Sequence, residues 1–275
     1  MRIMADSNQT KTAASSEQSK DSSSVYNNIH RAFLQAVMNR RIVDADTAEG
    51  LYDTILANAE QKDFQEFVLT INLEINNFDL SLRTVRDERT GHAMLLLVNT
   101  KSDVGTQGAT LYTPSELDYF KHLLDGIMQA PDLYLSSDTA LHVASELDIK
   151  LEKAQGALDR FVDDHWLYYC VDSGHYALSL RSTVELQRYF EEHHPDAVSF
   201  CPTCSELVTV GRQCRQCDTR IHRHCTTGTA ISSEACPFCS RVGTLKAFGL
   251  SLDSGTDDDG SATTMFSSSS FSSSS

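Results

Sequence analysis

From Val25 onward, stretches whose apolar residues return every three or four positions give way to shorter ones in which they return every second. Ile29, Phe33, Ala36 and Val37 recur at helical spacing. Asp46, with Glu49 three residues on, marks the start of a second helix whose apolar face continues through Leu51 and Ile55. Phe64, Phe67, Val68 and Ile71 predict a third. Leu80 and Leu82 then alternate with polar residues into a turn at Asp87 to Gly91, and Ala93 to Val98 returns as the partner strand. A second cycle opens on Thr113, Pro114 and Glu116, which supply an N-cap, a first helical position and a capping-box partner. Leu117, Phe120, Leu124 and Ile127 form its buried stripe. A short helix around Thr139 to Leu147 and a longer one around Leu151 to Val162 follow. Tyr168 to Val171 then pairs with Tyr176 to Leu180 across the turn Asp172-Ser173-Gly174. A last helix, about Thr183 to His193, ends before Pro195.

Helix, helix, helix, hairpin is the order of a winged helix, and here it occurs twice. Other α+β domains assembled from short helices and hairpins share that order, so the pattern by itself leaves them open. Trp166, Tyr168 and Tyr169 fall where packing between a third helix and a hairpin explains them better than a stacking platform, because the alternation there is amphipathic. Cys170, in a hairpin strand, reads as a small buried hydrophobe. Met1 to Ser24 and Leu250 to Ser275 are Ser-rich, the second with the run Asp257, Asp258 and Asp259, and both are expected to be disordered. The polar N-terminal stretch has no apolar core of a signal peptide, which points to the cytosol or nucleus. The longest apolar run, Ala93 to Val98, is strand-sized, so no membrane crossing is expected.

Charge narrows the partners. The 23 Lys plus Arg against 38 Asp plus Glu leave a net charge of −15, the wrong sign for a phosphate-binding surface. Between Val25 and Phe200 the balance is 14 basic to 28 acidic residues, which disfavours a recognition helix in a DNA groove. Protein docking fits better, and direct nucleic-acid binding is not expected.

Chemistry is concentrated near the C-terminus, where seven of the eight cysteines fall between Cys201 and Cys239. The order is Cys201-x2-Cys204-x9-Cys214-x2-Cys217-x4-His222-x2-Cys225-x10-Cys236-x2-Cys239. A two-residue spacer lets a tight knuckle aim two thiolates at one ion, and four such pairs in so short a segment point to two structural Zn2+ ions. In an interleaved pattern Cys201, Cys204, His222 and Cys225 share one ion, and Cys214, Cys217, Cys236 and Cys239 the other. The segment is too short for a good apolar core, and metal supplies roughly 10 to 16 kcal/mol in its place. His222 is preferred over His224 because only His222 keeps the two-residue spacing to Cys225. Closed Cys/His sites leave no position for an activated water, so the metal is expected to be structural and no catalytic side chain is assigned. Arg212, Arg215, Arg220 and Arg223 read as neutralising the thiolate cages rather than as a nucleic-acid patch.

Four Cys, then His, then three Cys is the ligand order of PHD fingers and of some variant RINGs, and spacing alone leaves both open. Glu234 stands where PHD fingers usually carry an aromatic residue, whereas Cys236-Pro237-Phe238-Cys239 resembles the final knuckle of ubiquitin-ligase RINGs. Taken with the helical and hairpin repeat, the Trp166-Leu167 entry to the second wing, the knuckle Cys201-Pro202-Thr203-Cys204 and the segment ending His222-Arg223-His224-Cys225, the chain from about Val25 to Phe248 resembles the non-SMC element 1 family. That resemblance implies an α+β protein: tandem winged-helix domains at 25–110 and 111–197, then a cross-brace RING-like two-zinc finger at 198–248, with tails at 1–24 and 249–275.

It further implies a nuclear subunit of the complex built on the fifth and sixth SMC proteins, acting in DNA repair and recombination. Its winged helices would bind a MAGE-domain subunit of the non-SMC element 3 type, with a kleisin subunit of the non-SMC element 4 type nearby. The family's activity is that of a RING-type ubiquitin-protein ligase helped by the MAGE partner. The groove for the ubiquitin-conjugating enzyme would fall on Pro202, Pro237, Phe238 and Arg241. Thr203 departs from that pattern, because active RINGs carry an apolar residue there. The competing expectation is a noncatalytic assembly module of the same complex.

Overall fold

The computed structural model describes residues 26–56, 63–101, 112–226 and 235–250. Of the tails expected at 1–24 and 249–275, the residues 1–24 and 251–275 lie outside the described residues, as does Glu234, whereas Leu250, expected to be disordered, is buried.

Asn27 and His30 cap α1 (Asn28–Arg40) reciprocally: the Asn27 side chain accepts from the backbone of Ile29, and the His30 ring meets the Asn27 N–H at 3.1 Å. There follow β1 (Ile42–Asp44), α2 (Ala45–Leu56), α3 (Phe64–Ile75), β2 (Leu80–Arg86) and β3 (Ala93–Asn99). The second cycle has the same grammar, with α4 (Pro114–Gln129), β4 (Tyr134–Ser136), α5 (Ser137–Glu146), α6 (Leu151–Asp163), β5 (Leu167–Cys170) and β6 (His175–Leu178). In both sheets the short strand between the first two helices pairs with the last strand, giving the antiparallel orders β1-β3-β2 and β4-β6-β5. These are tandem winged helices. Two short helices, α7 (Leu180–Glu185) and α8 (Gln187–His193), lead into a finger built on β7 (Gly211–Cys214), β8 (Arg220–Ile221), the single turn α9 (Arg223–Thr226) and β9 (Leu245–Phe248).

Several boundaries differ from those the sequence suggests. The strands β1 and β4 have three residues each, too few for alternation to register. The carboxylate of Asp44, not Asp46, caps α2, accepting from the Asp46 N–H at 3.0 Å. Ser136 similarly caps α5 through the Thr139 N–H, so that helix begins two residues before Thr139. The expected helix from Thr183 to His193 is two helices meeting at Leu186.

The first core gathers Phe33, Tyr52, Phe67, Ile71 and Leu95 from three helices and the sheet, with Phe33 and Phe67 edge to face at 5.3 Å. The second surrounds Phe120, Phe161 and Trp166 and continues through Leu186 and Phe190 to Leu207 and Phe248 of the finger. Trp166 is therefore a packing residue, with Phe120 beside it and the Arg181 guanidinium 3.7 Å from its ring centroid. Leu250 is buried against Cys170 and Ala177, so the chain remains held to the second wing just beyond β9. Among the described residues no helix is long and apolar enough to cross a membrane.

Gly249 shows how tightly the finger is closed. Its φ of +77° suits glycine, and a Cβ there would lie 2.0 Å from the Thr209 carbonyl oxygen. Gly249→Ala is expected to destabilise the protein by about 2–3 kcal/mol, read as a lower urea midpoint with an unchanged slope.

Candidate metal centres

Three of the four ligand pairs adopt one and the same turn. In each, the first Cys takes a hydrogen bond on its carbonyl from the residue four on and donates its own N–H to the carbonyl five on. The pairs are Ser205 and Glu206 for Cys201, Asp218 and Thr219 for Cys214, and Ser240 and Arg241 for Cys236. Ser205, Asp218 and Ser240 all take positive φ, between 55° and 62°, which reverses the chain in the space of one residue. Small β-ladders close the turns: the bridge Phe200 to Leu207, strands β7 and β8, and the bridge Ala235 to Val242. The fourth pair is different, with His222 leaving β8 and Cys225 on α9, joined by the Cys225 N–H to the His222 carbonyl at 3.1 Å.

These turns bring the ligand-type residues into two interleaved quartets. Cys201, Cys204, His222 and Cys225 form one, and Cys214, Cys217, Cys236 and Cys239 the other, with the ligand atoms of each within 4.8 Å of one another. Zinc in a tetrahedron of sulfurs about 2.3 Å away holds those sulfurs roughly 3.8 Å apart. Cys214 and Cys239, and likewise Cys217 and Cys236, stand 3.7 Å apart, whereas a disulfide requires about 2.05 Å. In the first quartet Nδ1 of His222 lies 3.2 Å from Cys204 Sγ and 4.0 Å from Cys225 Sγ. His224 is outside, its ring stacked on that of His222 with centroids 4.9 Å apart.

The electrostatics of the donors call for a cation. At Cys201 burial pushes the thiol up, but N–H groups of His222, Cys204 and Thr203 outweigh it and bring it down to about 6. Burial, reinforced by the neighbouring Cys201 and Cys204, pushes Cys225 in the opposite direction to about 12. In the second quartet burial also opposes ionisation of Cys214, yet the Thr244 hydroxyl and the Gln216 N–H carry it down to about 6, while burial lifts Cys236 to about 11. Three thiols in the first quartet and four in the second, this close, resist ionising together, and a divalent ion relieves the conflict. Each quartet can hold one zinc ion. Among the described residues, the finger's own buried cluster contains, apart from the cysteines, only Val208 and Ile221, consistent with metal standing in for a core.

One participant escaped the sequence reading. Glu88, in the wing turn of the first winged helix, is buried, and its Oε2 accepts from the N–H of Thr209 at 2.9 Å, the Thr209 hydroxyl at 2.9 Å and the N–H of Val210 at 2.5 Å. Its Oε1 lies 3.4 Å from His222 Nε2, which is also 3.0 Å from the Leu207 carbonyl. A Glu in a turn reads as solvated, and no local pattern reports a partner 134 residues away. Burial acts to lower the His222 pKa, but Glu88 and the Leu207 carbonyl prevail and push it up to about 10 in the metal-free ring. A cavity of about 720 Å³ opens beside this contact, between the wing, α7 and the first knuckle.

The family described as "Nse1 non-SMC component of SMC5-6 complex" matches residues 30–153. The chain is 27% identical to the non-structural maintenance of chromosomes element 1 homolog of Homo sapiens over 225 residues, covering 78% of this chain and 84% of that protein. It is 25% identical to the Schizosaccharomyces pombe element 1 protein over 201 residues, covering 71% and 84%. Over roughly three quarters of its length the chain resembles the Nse1 proteins. A solved structure titled "Nse1-Nse3-Nse4 complex" superposes with a TM-score of 0.69 at 23% identity, covering 78% of this chain and 96% of that one, a likeness that bears on the fold.

The residues expected to form a groove sit on the knuckles. Pro202 is exposed on the first, and Pro237 and Phe238 on the third, where Phe238 is 70% exposed. Arg241 is exposed too, its guanidinium donating to Gln216 of the second knuckle at 2.9 Å. Thr203, next to Pro202, lines the cavity beside the first wing.

Proposed function

We propose that this chain is the Nse1-type subunit of an SMC5-6 complex and that its finger, folded around two zinc ions, works as a RING-type ubiquitin-protein ligase module. The winged helices, taken as 25–110 and 111–197, dock a MAGE-type Nse3 subunit beside a kleisin-type Nse4 subunit. The finger at 198–248 offers Pro202, Pro237, Phe238 and Arg241 to a ubiquitin-conjugating enzyme. The work is done in the nucleus, in DNA repair and recombination.

One observation carries the ligase reading: Phe238 is 70% exposed beside Pro237, and with Val242, 65% exposed, it gives the third knuckle an apolar surface suited to a protein contact. The chain's own residues do the positioning. Cys236 and Cys239 fix the knuckle, Arg241 ties it to Gln216, and the apolar tip supplies the anchor. Bound zinc contributes shape, and no side chain of the finger forms a covalent intermediate with ubiquitin.

The test is discharge of ubiquitin from a panel of charged conjugating enzymes by the full chain co-expressed with its MAGE-type partner. Stimulation is expected with at least one enzyme, and Phe238→Ala is expected to cut it roughly tenfold or more while both zinc ions remain bound. A zinc-loaded complex that stimulates none of them would leave the assembly reading, which the polar Thr203 facing the first wing favours. In that case the finger contributes contacts only.

A further inference from the structure

The wing turn of the first winged helix buries Glu88 and half-buries Arg89, although Thr90 and His92 reach solvent. It is a tight structure in its own right: Asp87 N–H bonds to the His92 carbonyl, Gly91 N–H to the Asp87 carbonyl, and the Asp87 carboxylate accepts from the Arg89 N–H at 2.8 Å. From it two consecutive side chains of opposite charge leave in different directions. Arg89 donates to the Leu178 carbonyl at 2.9 Å and lies over the Tyr168 ring at 4.2 Å, both in the second wing. Glu88 enters the finger.

We propose that Glu88 is a positioning residue for the first zinc centre, orienting the ligand His222 from outside the finger. The inference rests on the zinc reading above. A metal-bound imidazole donates its second N–H to a carboxylate or carbonyl, which fixes the tautomer and raises the basicity of the ligating nitrogen. Here Nδ1 faces the three sulfurs and Nε2 faces Glu88 and Leu207, so the proton belongs on Nε2 and the lone pair on Nδ1. The same carboxylate collects the N–H groups of Thr209 and Val210, which would otherwise be buried without acceptors at the foot of β7. Metal retention in the finger is thereby tied to docking of the first winged helix.

Glu88→Gln separates the two duties. An amide oxygen still serves Thr209 and Val210, but its NH2 then opposes the His222 N–H, donor against donor. Glu88→Ala removes both. In the full chain, zinc release to a chromophoric chelator is expected to show one of two ions leaving Glu88→Gln about 10–100-fold faster than wild type. Hydrogen exchange at the amides of Thr209 and Val210 should stay slow in Glu88→Gln and become fast in Glu88→Ala. Release at the wild-type rate in both variants overturns the proposal. So does acceleration confined to Glu88→Ala, which would place the effect in docking and not in the ligand. A wild-type protein that carries no zinc removes the metal reading itself, an outcome visible before any variant is compared.

Discussion

Stripping zinc with a strong chelator is expected to unfold the finger from Cys201 to Leu245 while both winged helices keep their cores. Without the ions, the ligand segments are left, among the described residues, with Val208 and Ile221 as the only other fully covered apolar side chains of their cluster. Such a set cannot offset the conformational entropy of some forty residues, and each structural zinc is worth roughly 10 to 16 kcal/mol. Amide exchange resolved by segment measures this. Arg212, Gln213 and Cys214 in β7 should lose protection, whereas Leu95 in the first sheet and Leu123 in α4 should retain it. Cys236→Ser is expected to reproduce the loss, because it leaves the second quartet with three sulfurs. Slow exchange persisting in β7 of metal-free protein would mean that side-chain packing, not metal, folds the finger.

Replacing Arg181 with Ala is expected to cost about 3–5 kcal/mol, the loss that follows when one member of a buried ion pair is removed. Arg181 donates to Glu185 Oε1 at 2.7 Å and to the Asp164 carbonyl at 2.8 Å, and the two charged side chains are only 5% and 1% exposed. Burial raises the Glu185 pKa, with Arg181 and a backbone contact from Asn99 acting against it. Without Arg181 that opposition weakens and the carboxyl rises further in the folded state. A carboxyl whose folded pKa lies above its unfolded one favours folding at low pH, and the benefit fades as pH rises towards the folded value. The variant should therefore lose less stability at pH 5 than at pH 8, as measured by urea unfolding at each pH. The double replacement Arg181→Met with Glu185→Leu should recover most of the loss, since well-packed apolar side chains often replace a buried pair at no net cost. An equal deficit at both pH values would show that packing of the guanidinium on Trp166 dominates.

Much of this architecture is written in periodicity. The stripes through Phe33 and Val37, or Phe120, Leu124 and Ile127, declare their helices because a buried face repeats every three to four residues. The paired cysteines are equally plain, because a knuckle is a local device and its chemistry survives in spacing. What escaped was non-local or too short. The strands β1 and β4 are defined by what they pair with, Leu96 for Ile42 and Tyr176 for Leu135, and three residues carry no period. The break at Leu186 splits α7 from α8 although the residue types on either side suit a continuous helix. Glu88 and Arg89 look like any charged pair in a surface turn. Only the tertiary arrangement makes one a hydrogen-bond hub for the finger and the other a lid on Tyr168.

The finger is fastened at two places, with Leu207 and Phe248 sunk into the second core and Thr209 and Val210 bound to the first wing. A protein seated on Phe238 would consequently be aimed along one bearing. On the ligase reading proposed above, its cargo would sweep a narrow arc fixed by the body of the molecule, and a target lysine would have to be delivered into that arc by whatever the winged helices carry.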